Sequence, residues 1–150
     1  MEDINKTIKV GIYDLRVGDY IQEWLEIPGK WGTPMYVDSI FSDGSLYLNL
    51  EGNEADPFDA NVKDVYDIPI DFGILKHFGF AEVDHNVFQL TQGDWCLNVC
   101  VMKPFHFLVT GILFNKNGKF VMLGDGLDSI RIIQHRFYDE TKEPLRLTFE

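Results

Sequence analysis

Turn-forming residues interrupt the first part of the chain at short intervals and leave only short apolar runs between them. Asp43 and Gly44 separate the runs 35–41 and 46–50, and an Asp-Gly pair between such runs is a strong signal for a tight β-hairpin. Residues 8–12 and the stretch from Tyr20 towards Leu25 also have a strand pattern, whereas residues 28–34 have the Pro- and Gly-rich composition of a loop. Short strands joined by tight turns predict a small, strongly bent SH3-like β-barrel over residues 1–70.

The segment 51–71 is dominated by acidic residues, with Lys63 as its only basic residue. Apolar residues between Val62 and Ile68 predict one strand there, and the rest has the composition of a solvated loop. The acids of this segment are Glu51, Glu54, Asp56, Asp59, Asp64, Asp67 and Asp71.

Helix signals surround the run Asp71–Phe80. Asp71 can accept a hydrogen bond from a free backbone amide and so cap a helix start. Gly79 can adopt the left-handed conformation that ends a helix, with Phe80 folding back onto the apolar face. A helix of about two turns is therefore predicted.

The second half reads as an antiparallel β-meander, with strands predicted over 87–91, 95–102, 105–114 and 119–123. Turns are expected at residues 92–94, at 103–104 and at the Asn-Gly pair 117–118. A helix follows from about residue 128 to residue 140, because Ile130, Ile133 and Phe137 make one apolar stripe. Alternation of apolar residues over 145–149 predicts a final strand.

These elements predict an α+β protein in which a small SH3-like β-barrel precedes an antiparallel β-meander packed on a C-terminal helix. The boundary is predicted near residue 70, which gives subdomains 1–70 and 71–150. Phe72, Ile74 and Phe78 lie at the junction, and we expect them to join the two halves in one core.

The formal net charge of −11 is concentrated in the first half. Residues 1–71 contain 15 acidic and 5 basic residues, whereas residues 72–150 contain 9 acidic and 8 basic ones. Such a surface repels phosphate backbones and anionic lipids, which disfavours direct binding of nucleic acid or membranes. The same field is compatible with a basic protein partner, and it also favours solubility.

Catalytic and metal-binding patterns are weak. Cys96 and Cys100 lie in a strand pattern, where they would be roughly 13 Å apart, too far for a disulfide. His106 could serve as a base for either thiol, but alternating apolar neighbours favour sheet packing over an activated nucleophile. The His and Cys spacings fit no zinc motif, and the acids at 56–64 fit no EF-hand loop. The sequence therefore predicts no enzyme, no metal and no cofactor.

Aromatic residues near the loop 28–34 are the most useful binding signal. Trp24, Trp31 and Tyr36 lie in or beside this loop, and small β-barrels present such residues to extended peptides. Trp24 and Tyr36 can also be strand residues that point into the core, and for Trp24 we expect this core position. Trp31, between Lys30 and Gly32, is the better candidate for exposure.

Two stretches carry a family resemblance. Residues 14–21 (DLRVGDYI) and 68–80 (IPIDFGILKHFGF) resemble segments of small uncharacterised proteins from gut anaerobic bacteria and their phages. The resemblance implies a phage or mobile-element context and assigns no activity, so no functional residue is carried over.

The leading hypothesis is a non-enzymatic protein-interaction module that binds its partner through the aromatic loop or the acidic face. The alternative is an acidic inhibitor, such as an immunity or counter-defence protein, that blocks the basic site of a nucleic-acid enzyme. A small hydrolase is the third class and would require a cleft with a perturbed carboxylate or thiol. The chain has neither a secretion-signal pattern nor a long apolar run, so a soluble cytoplasmic protein is expected.

Overall fold

The computed structural model describes residues 10–25, 29–102 and 108–148. It shows two antiparallel sheets and a C-terminal helix, which confirms the α+β class. The chain divides into two compact units, residues 1–68 and 69–150. A core shared by the two halves stays a prediction.

The first unit contains a six-stranded antiparallel sheet with the order β2-β1-β3-β4-β5, and β6 also pairs with β1. Because β1 pairs with three different strands along its length, the sheet curls into a half-barrel. The strands are β1 (Tyr20–Leu25), β2 (Lys30–Trp31), β3 (Met35–Ile40), β4 (Ser45–Asn49), β5 (Phe58–Asn61) and β6 (Val65–Tyr66).

Strand alternation places the core of this unit on one face of the sheet. Ile21 lies opposite Met35, and Val37 lies opposite Leu48, so that each pair sends its side chains to the same side. The buried cluster consists of Val10, Leu15, Ile21, Met35, Val37, Leu46, Leu48 and Val65. The residues between them on β1, β3 and β4 therefore point to the other face.

The predicted hairpin at Asp43-Gly44 is confirmed by the pairing of β3 with β4. Other expectations for this half were wrong, including the loop predicted over 28–34, where Lys30–Trp31 forms β2 and pairs with β1. The strand predicted over 8–12 does not form at residues 10–12, because Ile12–Asp14 is a turn of 3₁₀ helix; Ile8 and Lys9 lie outside the described residues. The acidic segment is also more ordered than predicted, since β5 pairs with β4 along its whole length.

The second unit begins with the predicted short helix, α1 (Phe72–His77). The Asp71 Oδ1 atom accepts a hydrogen bond from the Ile74 amide at 2.7 Å, which satisfies one of the free amides at the helix start. Gly79 has a φ of +96° at the helix end, and the Phe80 amide donates to the Leu75 carbonyl at 2.9 Å. Both capping predictions are therefore confirmed.

The predicted meander is confirmed as a five-stranded sheet with the order β11-β10-β9-β8-β7. The edge strand β7 is an addition to the prediction, and the turn expected at 103–104 lies outside the described residues. The strands are β7 (Ala81–Asp84), β8 (Val87–Gln92), β9 (Trp95–Met102), β10 (Leu108–Asn115) and β11 (Phe120–Gly124).

The C-terminal helix α2 (Ile130–Thr141) is confirmed with the predicted buried stripe of Ile130, Ile133 and Phe137. The Ser129 hydroxyl caps it by accepting from the Ile132 amide. Arg136 lies on α2, and its guanidinium group donates a hydrogen bond to the Leu123 carbonyl at 2.5 Å. This bond connects the helix to β11.

The final strand predicted over 145–149 was wrong for the residues that the structure describes. Leu145 and Leu147 are buried, but residues 144–148 join no sheet, and Phe149 lies outside the described residues. A side chain holds this segment instead. The Gln92 Nε2 atom donates to the Pro144 carbonyl at 3.0 Å, and the Arg146 amide donates to Gln92 Oε1 at 2.6 Å.

Within the described ranges, no helix has the length and apolar composition needed to cross a bilayer.

Candidate functional site

The candidate site is the face of the first sheet that points away from its core. Tyr20 and Trp24 alternate with core residues along β1, and the register pairs Tyr20 with Tyr36 and Trp24 with Trp31. Cross-strand partners lie on the same side of a sheet. We call this surface the aromatic face; it carries Tyr20, Trp24, Trp31, Tyr36, Phe41, Tyr47 and Tyr66.

The two tryptophans named by the sequence form one cluster with Tyr66. Trp24 and Trp31 pack edge to face with their ring centroids 5.0 Å apart, and Trp31 packs on Tyr66 at 5.3 Å. Tyr66 is buried, whereas both tryptophans are half-buried. Edge-to-face packing fixes the rings and leaves part of each available to a ligand.

Tyr36 lies in a second cluster that joins the aromatic face to the acidic segment. Its ring is 5.5 Å from that of Tyr20. The Tyr20 hydroxyl donates to Glu51 Oε2 at 2.5 Å, and the Tyr36 hydroxyl donates to Glu54 Oε2 at 2.8 Å. The two glutamates are thus held beside the aromatic rings rather than free on a loop.

Burial and these hydrogen bonds shift the pKa values of the groups involved. Burial, followed by the hydrogen bond to Glu51, raises the pKa of Tyr20. Partial burial and the hydrogen bond to Glu54 raise the pKa of Tyr36 to about 12. The Tyr36 hydroxyl, followed by the Gly52 amide, lowers the pKa of Glu54. Both tyrosines are therefore neutral donors and Glu54 is a carboxylate near neutral pH.

The acids expected to form one face are not equivalent. Glu51, Glu54, Asp56, Asp59 and Asp64 are exposed. Asp67 is only 8% exposed, and its backbone carbonyl accepts from the Gln22 side chain at 3.3 Å. Asp59 lies on β5 directly opposite Tyr47, so it belongs to the aromatic face.

The structure also reveals an open groove that sequence reasoning missed. Its cavity of about 550 Å³ is within the range of about 300–1,000 Å³ found for ligand sites. The rings of Phe41 and Tyr47 pack edge to face at 5.2 Å, and each residue is 41% exposed. The lining residues are Phe41, Ser42, Asp43, Ser45, Leu46, Tyr47, Asp59 and Ala60.

Part of this groove could have been read from the sequence. Leu46 and Leu48 are the core residues of β4, so alternation already turns Tyr47 outward. The pairing of Tyr47 with Asp59 could not be predicted from the sequence, because β5 lies in a segment with the composition of a loop.

One buried polar atom lies beside the tyrosine cluster. Asn49 is 5% exposed and pairs with Tyr36 across the strands, and its amide nitrogen donates to Asp38 Oδ1 at 3.2 Å. Among the described residues, its Oδ1 atom has no hydrogen-bond partner. Leaving a buried acceptor without a partner costs about 1–3 kcal/mol of folding free energy.

The second unit carries the two thiols that the sequence singled out. Cys96 and Cys100 are free cysteines on β9, and His106 lies outside the described ranges. Among the described residues, no group of three or more His, Cys, Asp or Glu side chains is placed to hold a metal ion.

No family model matches the chain, and neither a curated protein nor a solved structure matches it.

Proposed function

We propose that the chain is a non-enzymatic protein-interaction module that binds an extended, basic segment of a partner protein on the aromatic face. The observation that carries this proposal is that two aromatic pairs lie on a face bordered by carboxylates: the half-buried Trp24 and Trp31, and the exposed Phe41 and Tyr47. Aromatic side chains are enriched where protein interfaces bind most strongly.

The chemistry of the face favours an extended ligand over a globular one. Trp24 and Trp31 lie at one end of the pairing between β1 and β2, and Phe41 and Tyr47 lie beside the β3–β4 turn. Rigid aromatic clusters at separate points of a sheet are typical binding positions for side chains of an extended peptide. The half-barrel of six strands supports an SH3-like arrangement, and we propose this finer classification on that basis.

The negative charge around the aromatic face favours a basic segment in the partner protein. The exposed carboxylates Glu51, Glu54 and Asp59 border the aromatic rings. Opposite charges steer the encounter between partners and penalise acidic competitors. We place this activity in the cytoplasm and, on the family resemblance, in a phage or mobile-element context.

Selection from a displayed library of random peptides tests the proposal. We expect enrichment of basic sequences on the wild-type protein and loss of that enrichment on a Trp31→Ala variant whose circular dichroism matches wild type. A Trp95→Phe variant is the matched control, since Trp95 lies on β9. Enrichment that is unchanged in Trp31→Ala would contradict a role for the aromatic face, and a folded wild-type protein that enriches no sequence would contradict the function.

The exposed acids support a second candidate, an acidic inhibitor of a nucleic-acid enzyme. Glu51, Glu54, Asp56, Asp59 and Asp64 are exposed in a segment that has Lys63 as its only base. Binding of that kind depends on attraction between exposed charges. At physiological ionic strength, dissolved salt screens this attraction at distances beyond about 8 Å. A partner captured from host lysate and released near physiological salt favours the inhibitor. A partner retained into high salt favours the aromatic module.

A further inference from the structure

We infer that the groove beside the β3–β4 turn binds an arginine side chain, with Phe41 and Tyr47 contacting the guanidinium plane and Asp43 and Asp59 accepting its hydrogen bonds. This inference rests on the proposed function, because it names the residue of the partner that one part of the aromatic face recognises.

The aromatic half of the groove offers two ring surfaces. Phe41 and Tyr47 leave the sheet on the same side, since Phe41 continues β3 two positions beyond Ser39, which pairs with Tyr47. Their edge-to-face contact fixes both rings at 41% exposure. A cation placed over such rings is attracted by their negative faces.

The acidic half offers two carboxylates. The Ser45 amide donates to Asp43 Oδ1 at 2.9 Å, which orients this carboxylate at the turn and lowers its pKa. Asp59 is fixed beside Tyr47 by the register of β4 and β5. No described lysine or arginine forms an ion pair with either carboxylate, so both are available to an external cation.

Arginine fits this combination better than lysine. A guanidinium group is planar and weakly hydrated, so it stacks on a ring while its edge donates several hydrogen bonds to carboxylates. A lysine ammonium is a compact, strongly hydrated point charge that cannot do both. The open groove admits a side chain that enters from a segment lying along the sheet.

Amide NMR titration with small probes tests the groove without any partner protein. The probes are Nα-acetyl-arginine amide, the lysine equivalent, and the citrulline equivalent, which keeps the shape of arginine without its charge. We expect the arginine probe to shift the amides of residues 41–47 and 59–60, the lysine probe to bind more weakly, and the citrulline probe to have no effect.

Two matched pairs of variants locate the contacts. Tyr47→Leu and Asp59→Asn should each weaken binding of the arginine probe by about fivefold to tenfold. Phe58→Leu and Asp56→Asn remove a comparable exposed ring or charge from the same region outside the groove, and should leave the affinity unchanged.

The outcomes separate this inference from the proposed function. Equal binding of citrulline and arginine, or shifts outside the groove, would overturn the arginine assignment even if basic peptides bind at Trp24 and Trp31. If the arginine probe shifts the groove amides of the wild-type protein but not those of Tyr47→Leu and Asp59→Asn, the arginine assignment is supported. This result would support it even if the peptide selection failed and overturned the proposed function.

Discussion

Tyr47 lies directly opposite Asp59 in the antiparallel pair of β4 and β5, so an exposed ring and a carboxylate leave the sheet side by side. Neither residue is needed for the core, which lies on the opposite face with Leu46 and Leu48. The pair gives the acidic segment a defined place in the fold. As a result β5, whose sequence has the composition of a loop, forms one wall of the groove.

The acidity of Tyr36 tests the coupling between the tyrosine cluster and the acidic segment. Its pKa of about 12 exceeds the ordinary value of about 10. In Glu54→Gln, loss of the negative charge should lower the pKa of Tyr36, so more of it ionises at about pH 11. The ring-carbon shift of isotope-labelled tyrosine measures this. Asp56→Asn is the control, and an unchanged Tyr36 titration in Glu54→Gln would contradict the observed hydrogen bond.

The same raised pKa predicts a loss of stability at high pH. The unfolded chain releases the Tyr36 proton near pH 10, whereas the folded protein keeps it to about pH 12. The free energy of unfolding should therefore fall as pH rises through this window. Chemical denaturation across the window should show a shallower fall for Tyr36→Phe. A fall of equal slope in both proteins would exclude a contribution from Tyr36.

Gln92 should be essential for the C-terminal segment. It is 5% exposed and bonds both the Pro144 carbonyl and the Arg146 amide. Gln92→Ala should lower the free energy of unfolding by about 1–3 kcal/mol, because these backbone groups lose their partners. Gln89→Ala is the control, since the Gln89 side chain bonds the half-buried Asn98 side chain. If chemical denaturation shows that Gln92→Ala and Gln89→Ala lower the free energy of unfolding equally, the role of Gln92 is contradicted.

Replacing two glycines by alanine should change the stability of the fold in opposite directions. A Cβ atom on Gly111 would lie 2.6 Å from Leu127 Cδ1. Because Leu127 is fully buried, its methyl group cannot move away without disturbing the core, and Gly111→Ala should destabilise the fold by about 1–3 kcal/mol. Gly73 lies inside α1, where the nearest atom to a new Cβ is Asp71 Oδ1 at 3.4 Å. Gly73→Ala should stabilise the helix by about 0.5–1 kcal/mol. Thermal unfolding of both variants measures the signs, and a stabilising Gly111→Ala would contradict the close approach of Leu127.

Local signals were sufficient for much of the fold. Asp43-Gly44 marked a hairpin, Asp71 marked a helix start, and the spacing of Ile130, Ile133 and Phe137 marked the last helix. These features depend on neighbours within a few positions, so the sequence displays them directly.

Features that depend on distant partners were not predictable. Gln92 and Pro144 are 52 positions apart, and nothing local distinguishes a segment held by one side chain from a strand. Trp24 was expected to point into the core, and only its register with Trp31 shows that it lies on the aromatic face. Asp59 joined the groove only through the pairing of β5 with β4.

The most direct test of the central claim uses the indole N–H signals of the chain's three tryptophans during titration with a basic peptide. Trp24 and Trp31 lie on the aromatic face, and Trp95 on β9 serves as an internal control. Substitution of each tryptophan by phenylalanine assigns its signal. We predict that the Trp24 and Trp31 signals shift with one affinity while the Trp95 signal stays in place. A shift of Trp95 alone, or no shift in any of the three, would contradict binding on the aromatic face.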